Sequence, residues 1–257
     1  MADRSTPEEW KTALTRIGPG KIEIRGVNVT DIMKEATFAD GIYLMLRGKR
    51  PSPGHSRVMN AILASSIDHG LTPPSSLATR TVMSGGNPLN AAVAAGILTI
   101  GESHGGAIEA CAKMLQEFAP ENPSDAVAVA ADVVANLREE KRRISGFGHR
   151  LHNPDPRSVT LFEIAEAEGV AGRHIAFASA VEKALAEQTG KALPINVDGA
   201  IAAAISDMGF DWKLGKGFFI ISRTPGLVAH AFEEWSREKP MRKMTTFKTL
   251  YDGPEGE

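Results

Sequence analysis

The chain is 257 residues long, enough for one large domain, or a large domain with a smaller lobe, and for a core that takes roughly 70–75% of the unfolded surface out of water. Its 42% hydrophobic content is that of a soluble globular protein, and a net charge of −2 excludes a sequence-wide signal for nucleic acid or an anionic membrane. The one cysteine, Cys111, excludes an intrachain disulfide and favours a reducing compartment, while the longest apolar stretch, AAVAAGILTI, falls short of the about 20 residues that span a bilayer.

The opening MADRSTPEEW is polar and acidic, with no signal or transit pattern, so a soluble cytoplasmic protein without membrane contact is expected. Within it Thr6, Pro7 and Glu9 read as a helix start. KIEIRG (residues 21–26) alternates polar and apolar residues, which predicts a strand and, with its neighbours, a short N-terminal β-hairpin. Helical periodicity follows over residues 37–47, 53–68 and 75–83. Asn87 and Pro88 then read as the cap and first residue of another helix, and residues 104–118 as a helix ending before Pro120. Ser124 reads as the cap of a long helix whose end, REEKRR, is a solvated terminus with cations suited to the helix dipole. The segment SGFGHRLHNPDPRS breaks this helical order, and Asp155 with Pro156 starts a helix to residue 168. Further helices fit residues 179–189, 198–208 and 227–237, and the tail DGPEGE reads as frayed. The fold class is mainly α, without an internal repeat.

The chemistry gathers in the breaks. GFG (residues 146–148) begins like a dinucleotide fingerprint, but no apolar strand precedes it and the third glycine is missing. His149 and His152 stand in an irregular loop without an HExxH motif or cysteine cluster, so no metal site is expected. Cys111 lies seven residues past His104, roughly 10 Å along a helix, too far for a hydrogen-bonded pair, and reads as a small core residue. His104 follows TIGES and opens a helix, His149 sits in GFGHR, and Asp198 sits in INVDGA. Each alone reads as a cap or a loop residue. Together with Arg157 and Arg223 near other breaks they suggest a site for a carboxylate-bearing substrate, since arginine suits bidentate carboxylate recognition.

The strings TRIGPGKIEIRG, ATFADGIYLMLRGKRPSP, SSIDHGLTPPSSLATR, LTIGESHGGAIEACAKML, GFGHRLHNPDPR, LPINVDGAIAAAISDMGF and ISRTPGLVAHAFEE occur in that order. The chain that carries them resembles the citrate synthase superfamily, most closely its short branch of citryl-CoA lyases, which includes the lyase module at the end of ATP-citrate lyase. The resemblance implies a citrate-synthase-like fold over residues 1–257 as a single domain, with a large helical core, a reduced small lobe at roughly residues 110–190, and a homodimer. It implies a catalytic trio of His104, His149 and Asp198, with His69, Arg157 and Arg223 on the carboxylates of oxaloacetate or the citryl group. It sets Gly146, Phe147 and Gly148 against coenzyme A, which enters as a thioester substrate, so no separate cofactor is implied. The implied reaction is the retro-Claisen cleavage of citryl-CoA to acetyl-CoA and oxaloacetate. The alternative is a short citrate or methylcitrate synthase, which also hydrolyses the thioester. His104 has no counterpart in the ATP-citrate lyase module and suits either direction. The chain shows no nucleotide-binding module, so a lyase of this kind would take citryl-CoA from a separate enzyme. Citrate synthases place an arginine that reaches across the dimer just before a late proline. Here Lys239 precedes Pro240, which leaves Arg237 or Arg242 as substitutes. His55, His174 and His230 are expected to serve packing or the surface.

Overall fold

The structure is a computed structural model and describes residues 10–148, 154–243 and 250–254. The expected helix start at Thr6 and Pro7, together with His149 and His152, lies outside the described residues. The strands β1 (Thr15–Gly18), β2 (Lys21–Ile24) and β3 (Val27–Asn28) form an antiparallel sheet, so the expected hairpin is present and gains a third short strand. Its register sets Arg16 opposite Glu23, and Glu23 also pairs with Lys21. The helices in chain order are α1 (Val29–Glu35), α2 (Phe38–Arg47), α3 (Pro53–Ser65), α4 (Pro74–Ser84), α5 (Leu89–Leu98) and α6 (Ala107–Phe118). They continue with α7 (Ala126–Glu139), α8 (Pro156–Ala167), α9 (Arg173–Thr189), α10 (Val197–Asp207) and α11 (Gly215–Arg237).

Local signals account for several boundaries. Thr37 and Asp40 close a capping box at α2, Gly48 ends that helix in the left-handed conformation, and Ser52 caps α3 ahead of Pro53. Two expected caps are different. Asn87 donates from its amide to Val82 O at 3.0 Å, closing the end of α4, and Pro88 takes the cap position of α5. Ahead of α7, Asn122 rather than Ser124 supplies the cap, for a short 3₁₀ turn over Pro123–Asp125.

The chain divides into two compact units, Met1–Ser66 with Ala107–Phe219, and Ile67–Gly106 with Ile220–Glu257. Residues 110–190, expected as a small lobe, fall within the first and larger unit. Its centre is α10, where every residue from Val197 to Ser206 except Asp198 is buried. A helix apolar nearly all round has to be surrounded, and its alanines let α6, α8 and α9 pack closely against it. Asp207, at the end of α10, reaches the start of α9. Its carboxylate accepts from the backbone N–H groups of Gly172, His174 and Ile175 at 2.8, 2.9 and 3.0 Å, and from His174 Nδ1 at 2.8 Å. Edge-on aromatic contacts join Tyr43 to Phe210 and Phe210 to Phe218, with ring centroids 5.3 and 4.9 Å apart.

In the smaller unit α4 and α5 meet at Gly96, where a Cβ would lie 2.1 Å from Thr79 Oγ1 and 2.9 Å from Ser75 O. This unit also buries charge. Arg80 donates to Glu234 at 2.7 Å and to Glu233 at 2.8 Å, and Arg242 grips Glu234 with both Nε and Nη2, at 2.9 and 2.6 Å. Arg237 pairs with Glu233 at 2.6 Å. The two arginines considered as cross-dimer substitutes are therefore both engaged by carboxylates of α11. Among the described residues, no helix is long and apolar enough to cross a membrane, and no cluster of three or more His, Cys, Asp or Glu side chains is arranged to hold a metal.

Candidate functional site

In the larger unit the candidate residues gather at the start of α10. Asn196 is its cap, with Oδ1 accepting from Asp198 N at 3.0 Å and Gly199 N at 3.1 Å. The cap reading of Asp198 therefore fails. Its carboxylate stands in the first turn of a helix already capped, and it is half-buried. The same Asn196 donates from Nδ2 to Gly148 O at 2.8 Å, while Gly148 N donates to Pro194 O at 2.7 Å and Asn196 N to Gly146 O at 3.0 Å. The GFG segment is thus stitched to residues 194–196, and this holds Gly148, the residue before His149, in register with Asp198.

Gly146 and Gly148 take left-handed conformations, at φ +88° and +80°. A Cβ on Gly146 would lie 2.7 Å from Cys111 Sγ and 2.8 Å from Gly199 Cα, so the segment approaches α6 and α10 at backbone distance. Gly146→Ala is expected to cost about 2 kcal/mol and lower Tm by about 4–8 °C, measurable by thermal unfolding. Cys111 is buried, and its thiol is pushed up to about 12, by burial first and then by the charge of Asp198. It is a core residue, as the sequence implied, and not a nucleophile.

Asp155 does more than the capping expected of it. Fully buried, it accepts from Arg157 N at 3.1 Å, caps α8, and holds the Arg157 guanidinium through Nε at 3.0 Å and Nη2 at 2.8 Å. It also accepts from Val197 N at 3.2 Å, immediately before Asp198. Burial raises the Asp155 carboxyl, but the hydrogen bonds and charge of Arg157 and the Val197 N–H outweigh it and hold the group below its ordinary value. One buried carboxylate thereby fixes Arg157 beside the start of α10. A cavity of about 280 Å³ adjoins Ser145, the residue before this segment, with Lys113, Arg142 and Arg143 but also Glu117 and Glu140 among its lining residues.

The smaller unit carries His69, His104 and Arg223. His104 does not open a helix. It lies in a loop paired back to Gly101, and α6 begins at Ala107. Its Nε2 is 2.8 Å from the hydroxyl of the fully buried Ser75. The imidazole pKa is lowered, first by burial and then by the Arg223 guanidinium. Arg223 is itself buried in α11. His69 sits in the exposed turn between α3 and α4. The adjacent Asp68 carboxylate accepts from the His69 and Gly70 N–H groups, the latter at 2.9 Å, and from His230 Nε2 at 2.9 Å. Ser75 and His230 carried no individual signal in the sequence, since their contacts are made by the fold, whereas Asn196 is a local helix cap that the sequence reading assigned to Asp198 instead.

The family model for the C-terminal domain of citrate synthase matches residues 44–244. The solved structure of citryl-CoA lyase from Hydrogenobacter thermophilus is 44% identical, covers 97% of both chains and superposes with a TM-score of 0.89. The 2-methylcitrate synthase of Shewanella oneidensis is 32% identical over 77% of this chain and 52% of its own length. The probable ATP-citrate synthase subunit 1 of Neurospora crassa is 27% identical over 81% of this chain, which spans only 33% of that protein. The matched region takes in most of the chain and both groups of candidate residues. The chain belongs to the citrate synthase family, as an enzyme of the citrate synthase and citryl-CoA lyase type.

Proposed function

We propose that the protein is a citryl-CoA lyase that cleaves citryl-CoA to acetyl-CoA and oxaloacetate. The observation that carries this reading is the likeness, over nearly the full length of both chains, to the Hydrogenobacter citryl-CoA lyase. The placement of Asp198 suits it, because Asn196 caps the helix and Asp198 stands half-buried in its first turn, beside the GFG segment that Asn196 also holds.

In the cleavage direction His149 takes the proton of the tertiary hydroxyl. The carbon–carbon bond breaks as the oxyanion collapses to the ketone of oxaloacetate. The bonding pair passes into the thioester, whose enolate oxygen accepts a hydrogen bond from His104. Asp198, in its protonated form, then gives its proton to the enolate carbon and acetyl-CoA forms, and the proton that His149 took from the hydroxyl is returned to Asp198 through solvent to complete the cycle. A neutral imidazole suits the role of His104, and the lowered pKa of that group favours it. His69, Arg157 and Arg223 bind the carboxylates. The GFG segment offers glycine backbone to the CoA thioester, and in the cavity beside it Lys113 and Arg143 offer positive charge to the phosphates of CoA, while Arg142 is paired with Glu140. The proposal includes a homodimer, to be checked by sedimentation velocity, a cytoplasmic location and a separate enzyme that makes citryl-CoA.

The likeness to 2-methylcitrate synthase favours a second reading, condensation of an acyl-CoA with oxaloacetate followed by thioester hydrolysis. Product analysis separates the two. With citryl-CoA supplied, a coupled dehydrogenase measures oxaloacetate and a disulfide reagent measures CoA thiol. We expect oxaloacetate to accumulate without stoichiometric thiol. Predominant thiol and citrate would establish the synthase instead.

A further inference from the structure

We infer that His230, a residue without an expected role, is a positioning residue that fixes the His69 turn to the helix carrying Arg223. The inference rests on reading His69 and Arg223 as carboxylate-binding residues. It starts from a chain of polar groups in the smaller unit, of which Arg80, Glu234 and His230 are buried. Glu234 and Glu233 hold Arg80, at 2.7 and 2.8 Å, and Arg80 Nη1 reaches His230 Nδ1 at 3.4 Å. On the other side of the ring, His230 Nε2 lies 2.9 Å from Asp68 Oδ1.

These neighbours decide where the imidazole proton is. A guanidinium offers only N–H donors, so the nitrogen facing it, Nδ1, accepts. A carboxylate offers only acceptors, so Nε2 carries the hydrogen and donates to Asp68. The two carboxylates that hold Arg80 therefore set the direction of the His230–Asp68 hydrogen bond. Asp68 in turn accepts from the backbone N–H groups of His69 and Gly70. Its carboxylate is the post to which the turn is tied.

A second observation places the same helix against the same turn. A Cβ on Gly226 would lie 2.3 Å from Ile67 O and 3.2 Å from Asp68 Oδ1, so α11 meets the turn backbone to backbone. Arg223, Gly226 and His230 follow at i, i+3 and i+7, on one face of α11. One helical face thus presents Arg223, admits the turn at Gly226 and tethers it at His230. The span from Arg223 to the His69 turn is set by these contacts. Two groups meant to grip one small dicarboxylate need that span fixed, because a misplacement of about 1 Å can cost as much as 10²-fold in effect.

His230→Ala and His230→Gln test the inference. The glutamine amide can still donate to Asp68, so it can replace the tether. Calorimetry with oxaloacetate is expected to show about a tenfold loss of affinity in His230→Ala, recovery to within about threefold of wild type in His230→Gln, and unchanged CoA affinity in both. A folded His230→Ala protein with wild-type oxaloacetate affinity would overturn the inference, as would equal loss in the alanine and glutamine variants. Should His230→Ala not fold, Asp68→Asn takes its place, because its amide keeps an acceptor for Gly70 N–H and opposes the imidazole with a donor. The same tenfold loss is expected there, and wild-type affinity would again count against the tether. Imidazole ¹⁵N spectra of the ligand-free protein provide a readout that does not depend on activity. They should show His230 as the Nε2–H tautomer, altered in Asp68→Asn. A proton on Nδ1 would refute the tether itself. A protein that shows the tether yet binds no oxaloacetate would remove the functional reading of His69 and Arg223 and leave the tether standing.

Discussion

Asp198→Asn is expected to lower kcat for citryl-CoA cleavage by about 10²–10⁴-fold while leaving a folded protein. The amide has the shape of the carboxyl group but cannot deliver a proton to the enolate carbon, so the loss falls on the chemical step. The cap of α10 does not depend on the substituted side chain. Asn196, not Asp198, satisfies the first N–H groups of α10, and Asp198 is half-buried beside a buried thiol, where a neutral amide is no harder to accommodate than a charge. A thermal unfolding curve close to that of wild type, beside a single-turnover rate reduced by orders of magnitude, is the expected pair of results. Near-normal turnover would remove Asp198 from the mechanism.

The largest effect on stability is expected from Asp207→Ala. This substitution orphans the three backbone N–H groups at the start of α9 and the His174 ring nitrogen. The expected cost is about 3 kcal/mol, with Tm lower by about 6–12 °C in a chain of this size. The effect has a pH signature. Burial raises the Asp207 carboxyl, but the hydrogen bonds from His174, Ile175 and Gly172 outweigh it and hold the folded-state pKa below its ordinary value. A depressed carboxyl stabilises the folded state at any pH above its unfolded pKa of about 3.9, and that contribution is lost as the pH falls through the folded value. Urea titrations of wild type and Asp207→Ala should therefore differ by a constant amount near neutrality and converge below about pH 4. A difference that persists unchanged in acid would mean that Asp207 acts through packing alone.

The same residue shows why parts of the fold could not be read from the sequence. The helix expected over residues 179–189 begins at Arg173, because its cap comes from Asp207, more than thirty residues later in the chain. Nothing local to Gly172 announces that. The helix expected from residue 227 begins at Gly215 and runs through Pro225, since the burial of Phe218, Phe219 and Leu227 outweighs the local preferences of glycine and proline. At Asp155, where the cap is local and was expected, sequence and structure agree. The sequence singled out candidate residues by their breaks in helical order: His104 and residues 146–148 do stand in such breaks, Asp198 and Arg157 stand in the first turns that follow them, and Arg223, expected near a break, lies within α11. What was illegible is what holds them. Asp155 on Val197, Asn196 on Gly148 and His230 on Asp68 are contacts between segments far apart in the chain, and each needs the fold to exist before it has a partner.

The burial of Cys111 has a practical consequence. Its thiol is 1% exposed, stays protonated at neutral pH and is covered by Gly146 and the start of α10. A maleimide or disulfide reagent can modify it only when the surrounding backbone moves away, so at saturating reagent the rate of modification is a rate of opening. With one cysteine in the chain, mass spectrometry reads that rate without an introduced probe or a competing site. The native sequence thus carries its own clock for the motion of the segment that precedes His149, and the dependence of that clock on added CoA reports whether the ligand closes the segment or leaves it free to move.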